Sequence, residues 1–204
     1  MSLDWEHQYQ ICETPWDKGA PAPPLLEWLE SNPRTIRGTI LVPGCGAGYD
    51  VEALAEKSSA ELAVGLDISN SAIELARKNS TSEKKATYDQ GDIFNLKANH
   101  VGAYDWVWEH TCFCAISPDR REDYVEAVWT ALKPSGLLLG VFYLNPYDDE
   151  HQPGGGPPHG VSRKELESFF IKSGMFRKEE EYTPKKSYPG REKRERVLCM
   201  RRMS

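Results

Sequence analysis

The sequence lacks several features that would define a function class at once. No apolar run among its 204 residues approaches the roughly 20 residues that a membrane-spanning helix needs. The formal net charge is −6, so the chain has no excess of positive charge with which to hold the phosphates of a nucleic acid. It contains no G-x-S-x-G and no Walker-type motif, which disfavours acyl hydrolysis and P-loop chemistry.

Cysteine is scarce and irregularly spaced. The five cysteines are an odd number and do not form the pattern of a secreted disulfide framework. Residues 1–6 are acidic and aromatic, unlike the start of a signal peptide. We therefore predict a monomeric cytoplasmic protein with a single domain over residues 1–204, and neither a membrane nor a nucleic acid as partner.

One stretch organises the chain. Residues 39–42 form an apolar run, and glycines follow at alternate positions as Gly44, Gly46 and Gly48. This pattern predicts a strand, a tight turn and a helix start, which let a nucleotide-type cofactor approach bare backbone. The spacing differs from the G-x-G-x-x-G with which dinucleotide-binding proteins seat a pyrophosphate on the helix end.

Strand-like and helix-like patterns alternate after this turn. The further predicted strands are 62–66, 86–88, 104–108, 137–143, 176–182 and 196–200. Amphipathic helices lie between them, and capping-box patterns at Ser71 with Glu74 and at Ser162 with Glu165 mark two helix starts. We predict an α/β fold, a mostly parallel doubly wound sheet that closes in an antiparallel C-terminal hairpin.

The first 36 residues carry no strand pattern but are rich in aromatic side chains. Trp5 and Tyr9 are four residues apart and would share one face of a helix, and Trp16 follows. One interpretation is an N-terminal helix packed on the core, and the other is an aromatic lid over a cofactor. The two are compatible, because a lid must bury its aromatic rings against something.

Two acids follow predicted strands. Asp67 ends the second strand, where a carboxylate can accept hydrogen bonds from both ribose hydroxyls, and Asp92 follows the third, where one could accept from an adenine amino group. Either could instead be a helix N-cap or a turn residue. With the glycine turn, this trio resembles the Rossmann-like methyltransferases that use S-adenosylmethionine (SAM).

The resemblance extends to the thiopurine methyltransferase-like family, and within it to the thiol and halide methyltransferase branch. The matching residues run through most of the chain: Trp5, Trp16 within 15–19, 41–50, 65–69, 113–116 with Pro118 and Arg120, and 155–158. The family pattern also explains Pro43, which stands where many SAM enzymes have an acid.

The resemblance implies the cofactor and its site. SAM would be converted to S-adenosylhomocysteine without a metal, and aromatic rings would form a dry wall beside its sulfonium. The residues expected to bind it are Trp5, Tyr9, Trp16, Gly44, Gly46, Gly48, Asp67, Ile68, Asp92, Ile93, Glu109 and His110. The implied acceptor is a small thiol, hydrosulfide or halide.

Two side chains are candidates for catalysis at the carboxyl ends of strands that point into the binding crevice. His110 ends the fourth strand and Tyr143 the fifth. In the related halide and thiol enzymes the position of His110 resembles a tyrosine, whereas Tyr143 matches one. Because the sulfonium lowers the pKa of a nearby thiol, a dedicated base is not required, and both residues could equally be structural.

Several other interpretations remain open at this stage. Residues 110–114 alternate potential metal ligands, and Asp148, Asp149, His151 and His159 surround a Pro/Gly-rich loop over 145–160. The spacing does not match a structural zinc site, and we expect the loop to close over substrate. The rival functions are an aromatic-thiol or thiopurine methyltransferase, a nicotinamide-dependent oxidoreductase, which the glycine spacing disfavours, and a catalytically silent SAM- or nucleotide-binding module.

Overall fold

A seven-stranded sheet in the order β3-β2-β1-β4-β5-β7-β6 forms the centre of the protein. The computed structural model describes residues 3–82, 85–144, 146 and 156–204. The strands are β1 (Arg37–Pro43), β2 (Ser59–Asp67), β3 (Ala86–Gln90), β4 (Tyr104–His110), β5 (Leu132–Tyr143), β6 (Phe176–Tyr182) and β7 (Glu195–Arg202). Strands β1 to β5 are parallel, and β7 runs antiparallel between β5 and β6. The predicted fold class is confirmed.

Six α-helices pack around the sheet within the part of the chain that the structure describes. They are α1 (Trp5–Gln10), α2 (Pro23–Ser31), α3 (Tyr49–Lys57), α4 (Asn70–Asn79), α5 (Arg121–Ala131) and α6 (Arg163–Leu166), which continues into a π-helical turn. Pro23 opens α2 because a first-turn residue needs no backbone N–H donor. The predicted capping box of Ser162 and Glu165 starts α6 and is confirmed. Within the described residues, none of these helices is long and apolar enough to cross a membrane.

The start of α4 corrects the sequence interpretation. Its N-cap is Ser69, whose hydroxyl accepts from the backbone N–H of Ala72, so the predicted capping box of Ser71 and Glu74 is wrong. The Ser71 hydroxyl instead donates to Glu6 of α1 at 2.7 Å. A long-range partner has therefore replaced the local one. Strand β5 also begins five residues earlier than predicted.

The core lies on both faces of the sheet, as expected for parallel strands with helices on each side. On one face α2 and α3 cover β1 and β4, and the rings of Trp28 and Trp106 meet edge to face at 5.9 Å. On the other face, α5 and α6 cover a cluster of aromatic side chains. In that cluster the ring of Phe170 lies 5.6 Å from Phe113 and 5.3 Å from Phe142.

The Pro/Gly-rich segment lies largely outside the described residues, and so do Asp148, Asp149 and His151. Its described end is fixed to the body of the protein. The backbone N–H of His159 donates to the carbonyl of Cys114 at 2.6 Å, and Arg121 donates to the carbonyls of His159 and Gly160.

We expect Phe170→Ala to destabilise the protein by about 3–5 kcal/mol, because it removes a fully buried ring from the centre of the aromatic cluster. The neighbouring Phe169 is only partly buried, so Phe169→Ala is the matched control and should cost clearly less. Urea denaturation followed by circular dichroism measures both free energies of unfolding. Equal losses would show that Phe170 has no special place in the core.

Candidate active site

A cleft of about 540 Å³, open to solvent, lies at the carboxyl ends of β1 and β4. The glycine turn after β1 forms one wall, and the N-terminal segment forms another. The lining residues are Tyr9, Trp16, Asp17, Lys18, Ala20, Val42, Gly44, Cys45, Gly46, Ala47, Tyr49, Asp50, His110, Thr111 and Tyr188. The structure therefore brings together Tyr9, Trp16, Gly44, Gly46 and His110 from the set expected to bind the cofactor.

The glycines of the turn have different roles. Gly44, Gly46 and Gly48 have φ angles of +61°, +53° and +85°, which L side chains rarely adopt. A Cβ at Gly46 would also lie 2.8 Å from the Tyr9 hydroxyl, so this glycine lets the N-terminal segment approach the turn. A Cβ on the buried Gly48 would instead meet Tyr88 and Ala76. Gly48 thus serves the packing of α3 and does not line the cleft.

Asp67 holds the glycine turn to the end of β2. Its carboxylate accepts hydrogen bonds from the backbone N–H groups of Gly46 and Ser69, each at 2.9 Å. Burial, with 7% of the residue exposed, raises the pKa of Asp67 above its ordinary value even though these hydrogen bonds oppose the shift. The acid expected to bind ribose therefore already organises the backbone on which a cofactor would lie.

The remaining expected cofactor residues at the ends of β2 and β3 lie outside the cleft lining. Ile68 is 51% exposed, whereas Ile93 is buried in the core. The carboxylate of Asp92 accepts from the backbone N–H of Phe94 at 2.9 Å and so caps a short 3₁₀ turn. Asp92 is thus an N-cap, which is one of the two interpretations of the sequence. The cap uses only one of its two carboxylate oxygens, Oδ1.

Aromatic and polar contacts hold the N-terminal segment against the glycine turn. The rings of Trp5 and Tyr9 lie 5.0 Å and 5.9 Å from that of Trp16, and the indole N–H of Trp16 donates to the Tyr9 hydroxyl at 3.2 Å. Glu6 accepts from the hydroxyls of Ser69 and Ser71, at 2.6 Å and 2.7 Å. These hydrogen bonds, that of Ser69 foremost, lower the pKa of Glu6 to about 2.

His110 faces the cleft beside a carboxylate that the sequence analysis missed. The Nδ1 atom of His110 lies 3.3 Å from Oδ2 of Asp50. Asp50 also accepts from the backbone N–H of Ala22 and from the indole N–H of Trp108, each at 2.7 Å. Burial would raise the pKa of Asp50, but the contacts with His110, Ala22 and Trp108 hold it below its ordinary value. The sequence feature that could have identified Asp50 was its position in the first helical turn after the glycines.

Glu109 faces the opposite side of β4 because neighbouring strand residues alternate between faces. Only 1% of it is exposed, and its carboxylate accepts from the backbone N–H of Phe113 at 2.8 Å and from the Tyr124 hydroxyl. Burial raises the pKa of Glu109 to about 7. The protein itself thus occupies the carboxylate, and the expected cofactor contact of Glu109 stays a prediction that would involve its backbone.

Tyr143 borders a second, narrower cavity, which is too tight to admit a sphere the size of water. The lining is mostly apolar: Glu109, Thr111, Phe113, Cys114, Val141, Phe142, Tyr143 and Val161. Thr111 lines both this cavity and the cleft, so the two adjoin at the end of β4. The guanidinium of Arg191 lies 4.8 Å from the centre of the Tyr143 ring and 3.6 Å from Glu195. His110 and Tyr143 thus border adjacent spaces, not a single one.

The cysteines near the site are half-buried at Cys45 and Cys112 and buried at Cys114. Burial is the main reason that the pKa values of Cys45, Cys112 and Cys114 are raised, which disfavours thiolates at neutral pH. Cys45 therefore fills the turn as a small residue. Across residues 3–82, 85–144, 146 and 156–204, no group of three or more His, Cys, Asp or Glu is placed to hold a metal ion.

The chain is similar in sequence to known proteins. The sequence profile described as thiopurine S-methyltransferase (TPMT) matches residues 2–202. The chain is 35% identical to thiocyanate methyltransferase 1 of Brassica oleracea and to the probable thiol methyltransferase 2 of Arabidopsis thaliana, in each case over 84% of this chain and 73% of the relative.

Solved structures show the same fold at lower sequence identity. A structure reported for the conversion of a disulfide bond into a thioacetal group during echinomycin biosynthesis superposes with a TM-score of 0.76, at 20% identity, over 97% of this chain and 94% of that one. The Burkholderia thailandensis 1,6-didemethyltoxoflavin-N1-methyltransferase, which holds S-adenosylhomocysteine, gives a TM-score of 0.71 at 14% identity over 98% and 86% of the two chains.

We expect the buried carboxyl of Glu109 to make the protein less stable as the pH rises. The pKa of this group is about 7 in the folded state and ordinarily 4.5, so the folded protein binds the additional proton between these pH values. The free energy of unfolding must then fall between about pH 5 and pH 8, by about 2–3 kcal/mol for this group. The variant Glu109→Gln stays neutral and lacks this loss.

Urea denaturation at pH 5 and pH 8 measures the free energies of unfolding of Glu109→Gln and of the wild type. The difference between the two proteins should change from pH 5 to pH 8. The control is Glu122→Gln on the exposed side of α5. A stability difference for Glu109→Gln that is independent of pH would contradict the assignment.

Proposed function

The chain belongs to the thiopurine S-methyltransferase family of SAM-dependent methyltransferases, and from that premise we propose that it methylates the sulfur of a small thiol or of hydrosulfide. A halide or another small soft anion is a further acceptor of the same kind. The transfer is an in-line displacement, in which the protein mainly aligns the nucleophile with the methyl group.

The cleft suits the cofactor in composition. It combines bare glycine backbone with aromatic rings, and it is open to solvent. SAM would be held there by the backbone of Gly44 and Gly46, the carboxylate of Asp67 and the rings of Tyr9 and Trp16. Bound SAM supplies a methyl group that its sulfonium already activates. Trp5 supports the Trp16 ring, while Ile68, Asp92 and Ile93 remain proposed contacts at the strand ends.

The small cavity beside Tyr143 is the observation that favours a small acceptor. The space is too narrow to admit a sphere the size of water, so its walls would have to move less for a hydrosulfide or a small thiol than for a purine ring. Its wall of Phe113, Val141 and Phe142 excludes water, which would otherwise solvate the nucleophile. We propose that Tyr143 contacts the acceptor here, while His110 acts from the adjoining cleft.

The name of one relative supports a soft acceptor that carries negative charge. The Arg191 guanidinium stacks on Tyr143, but the buried carboxylate of Glu195 lies 3.6 Å from its Nη1 atom and offsets its charge. The Brassica oleracea relative is named a thiocyanate methyltransferase, which is an enzyme for such an anion.

An aromatic thiol remains the second candidate acceptor, because relatives in Yarrowia lipolytica and Nitrosospira multiformis are named thiopurine S-methyltransferases. The oxidoreductase alternative has no such support. A monomeric state, a cytoplasmic location and a single domain over residues 1–204 with a lid over residues 1–36 stay predictions.

We expect hydrosulfide, methanethiol and thiocyanate to be methylated with kcat/KM at least about tenfold higher than a thiopurine, because a purine ring exceeds the small cavity. Headspace gas chromatography detects the volatile products, and liquid chromatography detects the methylated thiopurine. Each assay contains SAM and one acceptor, with heat-inactivated protein as control. A clear preference for the thiopurine would contradict a small acceptor.

We expect Asp67→Asn to weaken SAM binding by about 1–3 kcal/mol, the scale for losing hydrogen bonds to a charged group. Isothermal titration calorimetry measures the Kd, and no binding of NAD is expected. Glu61→Gln, at an exposed position near the other end of β2, is the matched control and should leave the Kd unchanged. An unchanged Kd in Asp67→Asn, with the fold intact by circular dichroism, would count against the proposed site.

A further inference from the structure

We propose that Asp50 is a positioning residue that orients His110 so that its Nε2 atom removes the proton of an un-ionised thiol acceptor. This inference rests on the proposed function and deepens it, since it divides the acceptors into those that carry a proton and those that do not. Asp50 and His110 lie on different elements, α3 and β4.

The geometry sets the protonation of the ring. Nδ1 of His110 lies 3.3 Å from Oδ2 of Asp50, and the two side chains are 11% and 13% exposed. Because a ring nitrogen that faces a carboxylate carries the hydrogen, the neutral imidazole is protonated on Nδ1 and its Nε2 atom is a bare acceptor.

The Nε2 atom is the feature that points to a ligand. It is buried and has no hydrogen-bond partner among the described residues. Buried polar atoms of this kind are rare, because each loses its hydrogen bonds to water. His110 lines the cleft, and the next residue, Thr111, lines both the cleft and the small cavity beside Tyr143. An S–H group in this region would supply the missing donor.

Asp50 itself is held in place by donors from two other parts of the chain. Its Oδ1 atom accepts from the backbone N–H of Ala22, and Oδ2 accepts from the indole N–H of Trp108. The ring of His110 lies between those of Trp108, at 6.2 Å, and Tyr188, at 6.0 Å. Carboxylate and imidazole are therefore both fixed before any ligand binds, which a proton acceptor in catalysis requires.

The charged groups around His110 bear on the imidazolium that would form during the reaction. The titratable and charged groups around it are Asp50 of α3, Glu109 of β4, Cys45 of the glycine turn, Asp17 and Lys18 of the N-terminal segment, and Tyr188 of the segment before β7. Of these, the Asp50 carboxylate is in direct contact, and its lowered pKa keeps it ionised at neutral pH. It would stabilise the imidazolium that forms.

Nε2 of His110 takes the proton from the acceptor S–H, and the sulfur forms a bond to the methyl carbon. The bond between that carbon and the sulfonium sulfur breaks, and its electron pair stays on S-adenosylhomocysteine. The products are a thioether and an imidazolium, which then releases its proton to solvent.

The benefit of such a base depends on the acidity of the acceptor. Thiocyanate and iodide carry no proton at neutral pH and need no base. A thiol with a pKa near 8.5 is only about 3% ionised at pH 7, so the base can contribute at most about 30-fold to its rate there. The effect of removing His110 should therefore grow with the pKa of the thiol.

The test compares His110→Gln with the wild type on thiocyanate and on an alkyl thiol of pKa near 8.5. We expect kcat/KM for the thiol to fall about 30-fold at pH 7, and that for thiocyanate to change less than about twofold. In the variant, the rate with the thiol should rise about tenfold per pH unit up to the thiol pKa, whereas the wild-type profile is flat near neutral pH. His7→Gln, at an exposed histidine of α1, is the matched control.

A second variant tests the role of Asp50 without relying on turnover. Nitrogen-15 NMR of the ligand-free protein should show His110 protonated on Nδ1 in the wild type. In Asp50→Asn this tautomer should give way to a mixture, with a partial loss of kcat/KM for the thiol only. Calorimetry of SAM binding measures separately how far each variant affects the cofactor site, because both residues line the cleft.

Equal losses with thiol and thiocyanate would overturn the assignment and make His110 a cofactor or packing residue. A wild-type His110 protonated on Nε2 would also overturn it. If the wild type binds SAM but methylates no acceptor, the proposed function fails while the NMR result still decides whether Asp50 orients the ring.

Discussion

The buried carboxylate of Asp50 is the interaction on which the edge of the cleft depends. It accepts hydrogen bonds from Ala22 in the N-terminal segment and from Trp108 in β4, and it lies beside His110. One side chain at the start of α3 thus connects three stretches of the chain. Because a buried charge is stable only when such donors surround it, these stretches must come together before the cleft exists.

The sheet imposes a second constraint on the same site. Both faces of β4 are covered, so its alternating residues face two different cores. Glu109 faces the aromatic cluster and bonds with Tyr124, whereas His110 faces the cleft. Two neighbouring polar residues therefore have unrelated roles, one in stability and one beside the proposed reaction.

Local patterns predicted well wherever the determining contacts are local. The glycine turn and the capping box at Ser162 depend on residues within a few positions of one another. The capping box at Ser71 was wrong because Glu6, 65 positions away, takes its hydroxyl. Similarly, Asp92 could be placed near the cofactor or in a cap, and only the backbone path after β3 shows the cap.

The sequence by itself determined the fold class and the methyl donor, because an uninterrupted strand–turn–helix motif and the acids after two strands are encoded over short distances. The tertiary structure alone decided which polar groups share a space. Asp50 with His110, and Tyr143 with Arg191, are separated by 60 and 48 positions and meet only through strand order and helix packing. Proximity between such distant residues depends on the whole sheet, which no local spacing records.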